Sequence, residues 1–196
     1  MIKKFASLMS LLAILIVGGC GVTSPDGPPR ADQSAVAELA GAIRALGPEV
    51  DPEEATRAAE IAYDYTHQLA LQYQITDPPL IHNMKVNHGL RPRGLCWHWA
   101  EDMEARLKQE NFRTLTLHRA IANADNPFRI DHSTAIISKR GDGMFDGIVI
   151  DPWRYGGQLH WSLTREDTRY NWRPRREVLD ERRRRREGSG SAAPAG

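Results

Sequence analysis

Two short apolar runs, Ser133–Ser138 and Met144–Ile150, flank the segment Lys139-Arg140-Gly141-Asp142-Gly143. A Gly-Asp-Gly stretch between strand-like runs signals a hairpin, because glycine reaches the backbone angles that tight turns demand. Folding back at this point pairs the runs antiparallel, and the start of the first then lies beside the end of the second. His132 stands just before the first run and Asp151 just after the second. A single turn therefore pairs two strands of a sheet and makes His132 and Asp151 neighbours across it.

The rest of the chain supplies helices first and strands second. Val36, Leu39, Ala40, Ile43 and Leu46 recur at helical spacing, predicting a helix over Ser34–Leu46 that Gly47-Pro48 ends. Asp51-Pro52-Glu53-Glu54 has the form of a second helix start: Asp51 caps, Pro52 fits the first position and Glu54 completes a capping box. This helix should reach about Tyr73, with Ile61, Tyr65, Leu69 and Tyr73 on a packing face, and Asp77-Pro78-Pro79 stops it. Leu80–Leu95 reads as a loop or a short helix and a loop. A further amphipathic helix begins near Cys96 and ends near Gln109. Phe112–Ile121 and Gln158–Leu163 complete the strand signals, giving an α+β domain with helices packed on an antiparallel sheet. From Arg173 the pattern dissolves into five consecutive arginines, Arg182–Arg186, and a Gly/Ser/Ala end, so 173–196 reads as a disordered tail with at most a frayed helix over Arg176–Arg186.

The N-terminus reads as an export signal. Lys3 and Lys4 precede an apolar run, Ala6–Val17, too short for a comfortable membrane span. The run ends Val17-Gly18-Gly19-Cys20, which resembles the lipobox of bacterial lipoproteins. That resemblance implies lipid attachment at Cys20, removal of residues 1–19, and, with Gly21 following, the periplasmic face of the outer membrane. Residues 20–33, rich in Gly and Pro, read as a flexible tether, and residues 34–172 as the domain. Removing 1–19 takes away two lysines and no acid, leaving 24 basic against 25 acidic side chains. So balanced a charge gives no case for a nucleic-acid partner.

Only two cysteines are present, and lipidation would consume Cys20. Cys96 is then a lone thiol in an exported chain, either buried as a small apolar group or kept for chemistry. Its position at the start of a helix favours the thiolate, through the positive end of the peptide dipoles. His132 follows 36 residues later, and Asp151 a further 19. Asp151 could orient one ring nitrogen of His132 and leave the other for Cys96, the nucleophile–base–orienter arrangement. His98, two residues along the same helix as Cys96, should point away from it.

A cysteine opening a helix, a histidine starting a strand and an Asp-Pro ending the next strand resemble the transglutaminase-like, papain-related cysteine enzymes. The resemblance covers about Leu80–Trp161. It implies a transglutaminase-like core in which Cys96 is the acylated nucleophile, His132 the base and acid, and Asp151 the orienting residue. The activity implied is that of a peptidase, amidase or acyltransferase, without a cofactor; the substrate, a peptide, protein or cell-wall peptide, is suggested by the envelope location alone. Two features differ: Ser133-Thr134-Ala135 follows the histidine where members carry an aromatic, and Trp153 follows Asp-Pro where a small residue is usual.

The Cys96 N–H is positioned as one oxyanion donor, with the side-chain amide of Asn87, or else Asn83, as the second. Trp97 and Trp153 are candidates to line a substrate groove, while Trp99 and Trp161 fit a core equally well. A zinc site would need a close ligand pair such as Cys-x-x-Cys, and the chain has none. The rival to an enzyme is a non-catalytic envelope lipoprotein in which the same fold is a binding scaffold and Cys96 is packed and inert.

Overall fold

The computed structural model describes residues 27–190, so the expected export signal, Cys20, most of the expected tether and residues 191–196 lie outside the described residues. Among the described residues, five helices pack on one five-stranded antiparallel sheet. The helices are α1 (Gln33–Arg44), α2 (Pro52–Gln72), α3 (Pro79–Asn87), α4 (Cys96–Lys108) and α5 (Arg175–Gly190). The strands are β1 (Leu115–Ala122), β2 (His132–Lys139), β3 (Ile148–Asp151), β4 (His160–Leu163) and β5 (Arg173–Pro174), in the spatial order β4-β3-β2-β1-β5. No helix among the described residues is long and apolar enough to cross a membrane.

Helix pairing follows from small residues at helical spacing. Ala55, Ala58, Ala59 and Ala62 line the buried face of α2, and Leu39 and Ile43 of α1 pack in the same core. Met103 and Leu107 of α4 join Ala135, Ile137, Ile148 and Ile150 of the central strands in that core. Strand alternation turns Ile136 and Val149 to the opposite face, where Tyr170 and Trp172 cover them. The anticipated packing face of α2 holds at its end: Leu69 and Tyr73 are buried, while Ile61 and Tyr65 are half-buried.

The capping box at α2 is only half made. Asp51 accepts from the Glu53 and Glu54 N–H groups at 2.8 and 3.4 Å, as expected. Glu54 instead reaches across to the start of β1, accepting from Arg113 N–H at 2.7 Å, Thr114 N–H at 2.8 Å and Thr114 Oγ1 at 2.6 Å. Asp51 N–H goes to Thr114 Oγ1 at 3.1 Å. Burial opposes the Glu54 charge, but these donors outweigh it and hold its pKa below the usual carboxylate value. Glu54→Ala leaves two backbone donors without an acceptor. It is expected to cost about 3 kcal/mol, read as a lower urea midpoint, with Glu54→Gln less damaging.

The hairpin differs in detail from its sequence signature. Asp142 N–H closes the turn onto Lys139 O, but Met144–Asp146 form a 3-10 turn instead of strand. Met144 is buried on the Tyr170–Trp172 face, and the β2–β3 ladder begins only at Ile137↔Ile148. At the other end, the presumed tether is laid on the domain from Gly27: Pro28 is buried, and a Cβ on Gly157 would come within 2.9 Å of its Cγ.

The C-terminal reading needs a larger correction. Arg173–Pro174 pairs with Ile121 and Ala120 at the sheet edge, and Arg175–Gly190 is helical, with Val178 buried. The arginine run is partly neutralised in place. Arg182 pairs with Asp131 at 2.6 Å and Arg185 with Asp125 at 3.7 Å, while Arg173, in β5, pairs with Asp125 at 2.7 Å and with Glu181 of the helix.

Candidate active site

The loop opening α4 is fixed from three sides. The Nε2–H of His82 on α3 donates to Arg93 O at 2.9 Å, Trp99 Nε1–H donates to Gly94 O at 3.0 Å, and the Arg93 guanidinium holds Asp102 at 2.8 Å. Gly94 has φ +122°, and a Cβ there would lie 2.4 Å from His82 Nε2, so only glycine fits this approach. Leu95 is the N-cap residue, with no side chain to cap. His98 takes that role: its Nδ1 accepts from the Gly94 and Leu95 N–H groups at 3.1 and 3.2 Å. Burial, reinforced by the Arg93 charge, lowers the His98 pKa, which suits an accepting, neutral ring. His98 is thus committed to shaping the helix start.

Cys96 occupies the first helical position, 8% exposed, with its thiol 3.5 Å from Asp131 O. Its neighbour across this contact is His132, fully buried at the start of β2. His132 Nε2–H donates to Asp151 Oδ2 at 2.7 Å. Nδ1 is buried without another hydrogen-bond partner, leaving it the nitrogen available to Cys96. Burial alone would discharge the ring. The Asp151 charge and hydrogen bond, followed by interaction with the Cys96 sulfur, overcome that and raise the His132 pKa to about 9.

Asp151 is itself clamped. Its Oδ2 also accepts from Arg154 Nε at 2.9 Å, and its Oδ1 accepts from Arg154 N–H at 3.2 Å. Burial works against the Asp151 charge, while His132 and Arg154 lower its pKa below the ordinary value. Arg154 continues to Asp167 through Nη1 at 3.2 Å and Nη2 at 2.5 Å, and Trp172 Nε1–H donates to Asp167 at 2.9 Å. His132, Asp151, Arg154 and Asp167 therefore form a buried chain of alternating charge. Each member supplies what its neighbour lost on leaving water.

An aromatic box encloses the imidazole. Tyr170, Trp153 and Trp172 lie with ring centroids 4.5, 4.8 and 5.3 Å from that of His132. The Arg154 guanidinium sits 4.8 Å from the Tyr170 centroid. All three rings come from segments that follow β3. Arg154, Asp167, Tyr170 and Trp172 were not singled out from sequence; Asp167 with two aromatics in the next five residues was the available signal.

The remaining candidates are dispersed. Asn87 is exposed on the last turn of α3. Asn83, one turn earlier, accepts from Trp153 Nε1–H at 3.1 Å, which ties α3 to the aromatic box. Trp153 is buried and serves as a wall behind His132, whereas Trp97 is 47% exposed beside Cys96 and stacks on His98 at 3.8 Å. Trp99 is buried, and Trp161 is half-buried with its Nε1–H on Tyr63 OH. Among the described residues, no three His, Cys, Asp or Glu side chains are grouped to hold a metal ion.

Comparison of the chain with family models, with curated proteins and with solved structures gave no match.

Proposed function

We propose that this protein is a membrane-anchored cysteine enzyme that acts on amide bonds through a thioester on Cys96, with a transglutaminase-like core and a lipid anchor at Cys20. The observation that carries the reading is the position of His132, held by Asp151 through Nε2 with Nδ1 left to the Cys96 side. An inert core cysteine needs no such neighbour. The pair is poised for proton exchange: with His132 protonated, Cys96 attacks as thiolate at the substrate carbonyl carbon. The tetrahedral oxyanion forms at the helix N-terminus, where first-turn N–H groups lack intrahelical partners. His132 Nδ1 then gives its proton to the leaving amine as the C–N bond breaks. Water attacking the thioester completes hydrolysis, and an amine completes acyl transfer.

A second reading rests on the low exposure of Cys96: a packed thiol in a binding scaffold of the cell envelope. Electrophilic peptides separate the two. A peptidyl vinyl sulfone library should leave a mass adduct on Cys96 of the native protein, and none in Cys96→Ala. Modification only after denaturation would favour the scaffold.

A further inference from the structure

Helix α3 has two unlike faces. Its inner face carries His82, bonded to Arg93 O, and Asn83, bonded to Trp153, so this face supports the Cys96 site from behind. Its outer face should be polar in a helix exposed to water, yet Leu80, Ile81 and Met84 are 59%, 45% and 57% exposed there. Spacings of three and four residues put these side chains together on one stripe. Leu90, 64% exposed, follows just past the helix. From 77 to 93 the chain has Lys85, Arg91 and Arg93 against Asp77; Arg93 is held by Asp102 at 2.8 Å, which leaves Arg91 as the cation of this stretch with no carboxylate partner among the described residues. Lys85 already neutralises Asp77 at 2.7 Å.

The described chain begins at the end of α2, close to the segment that leads into α3. A Cβ on Gly27 would lie 3.4 Å from Leu71 Cδ2 and 3.8 Å from Ile75 O, at the end of α2. Pro28 rests against Gly157, and a Cβ on the adjacent Gly156 would lie 3.7 Å from the ring of Pro79, the first residue of α3. Leu71 is itself half exposed. Cys20 stands only seven positions before Gly27. Fully extended, that length spans at most about 25 Å, whereas a domain of this size is about 40 Å across. A lipid on Cys20 would therefore keep the start of α3 within reach of the bilayer and the far side of the domain out of reach.

We propose that the outer face of α3, with Leu80, Ile81 and Met84, docks on the surface of a phospholipid bilayer bearing anionic head groups. The proposal rests on the lipid-anchor reading of Cys20. Apolar side chains entering the head-group boundary with cations beside them are what interfacial helices use. A second attachment point would convert a swinging tether into a fixed orientation. Since α3 is one helix thick, roughly 10 Å, docking would hold the loop that opens at Cys96 just above the head groups. The polypeptides within reach would then be those anchored in, or lying along, the same membrane.

The test is hydrogen–deuterium exchange on the full processed chain with phosphatidylethanolamine–phosphatidylglycerol vesicles. The comparison is a Leu80→Ser, Ile81→Ser, Met84→Ser variant whose melting temperature checks that the fold is intact. Slow exchange over 79–90 that depends on vesicles and is lost in the variant is the expected result. Equal exchange in both proteins, with acylated Cys20 and the chain on the vesicles, overturns docking and leaves the anchor standing. Unmodified Cys20 by mass takes down the anchor instead. Docking is then decided by whether added vesicles still slow 79–90. Protection that grows with protein concentration without vesicles overturns the proposal in favour of self-association.

Discussion

His132→Ala is expected to slow acylation of Cys96 by a factor of about 10²–10⁴ near neutral pH, the usual contribution of a positioned acid–base group. The measurement is the rate of adduct formation with an amide or ester acyl donor, followed by intact mass. Cys96→Ala should give no adduct while melting like the parent. The pH profile carries more information than the single rate. With the His132 pKa raised to about 9, the ring keeps its proton through neutrality. Acylation of an amide donor should then hold a plateau and fall as pH rises past that value, because the leaving amine loses its acid. Asp151→Asn removes the group that does most to raise this pKa. Its alkaline limb should move to lower pH. An unchanged acylation rate in His132→Ala would remove His132 from the chemistry and leave Cys96 as a reactive thiol at most.

The parts of this site legible in the sequence were those set by local rules. The Gly-Asp-Gly turn places His132 and Asp151 on paired strands whatever else the chain does, and they meet at 2.7 Å. Cys96 opens α4 because a glycine-containing loop precedes an amphipathic run, and the helix begins at that residue. What escaped were side chains whose partners are distant in sequence. Glu54 has the spacing of a capping box, but two N–H groups and a hydroxyl 59 and 60 residues away offer it more. Arg154 and Asp167 look like surface charges until the fold buries them together. The arginine run has a disordered composition on its own; Asp125 and Asp131, on the loop before β2, give its helix a place to dock. Composition counts charges but does not reveal which of them will face one another.

The buried charge chain makes stability sensitive to Asp151, whatever the chemistry of Cys96. Asp151→Ala leaves the His132 ring and the Arg154 guanidinium without the carboxylate between them, at a site the protein seals from water. Deleting one partner of such an arrangement costs about 3–5 kcal/mol, a large share of the ~5–15 kcal/mol that holds a domain together. Asp151→Asn keeps shape and two acceptor lone pairs and should cost less. The sign of the pH dependence follows from His132. Its pKa rises on folding from 6.5 to about 9, so the folded state binds the proton more tightly. The associated stabilisation is complete below 6.5 and is lost as pH climbs through about 9. Its size is on the order of 3 kcal/mol. Asp151, whose pKa is lowered on folding, contributes in the other direction: its share is present above the ordinary carboxylate pKa and fades as the solution is acidified through its folded value. Urea denaturation at a series of pH values should therefore show a parent protein that weakens above neutrality. In Asp151→Asn that alkaline weakening should largely vanish, because the asparagine carries no charge to hold the His132 proton. A parent whose stability stays level from neutral pH to beyond the folded His132 value would show that the imidazole is not held protonated in the folded protein.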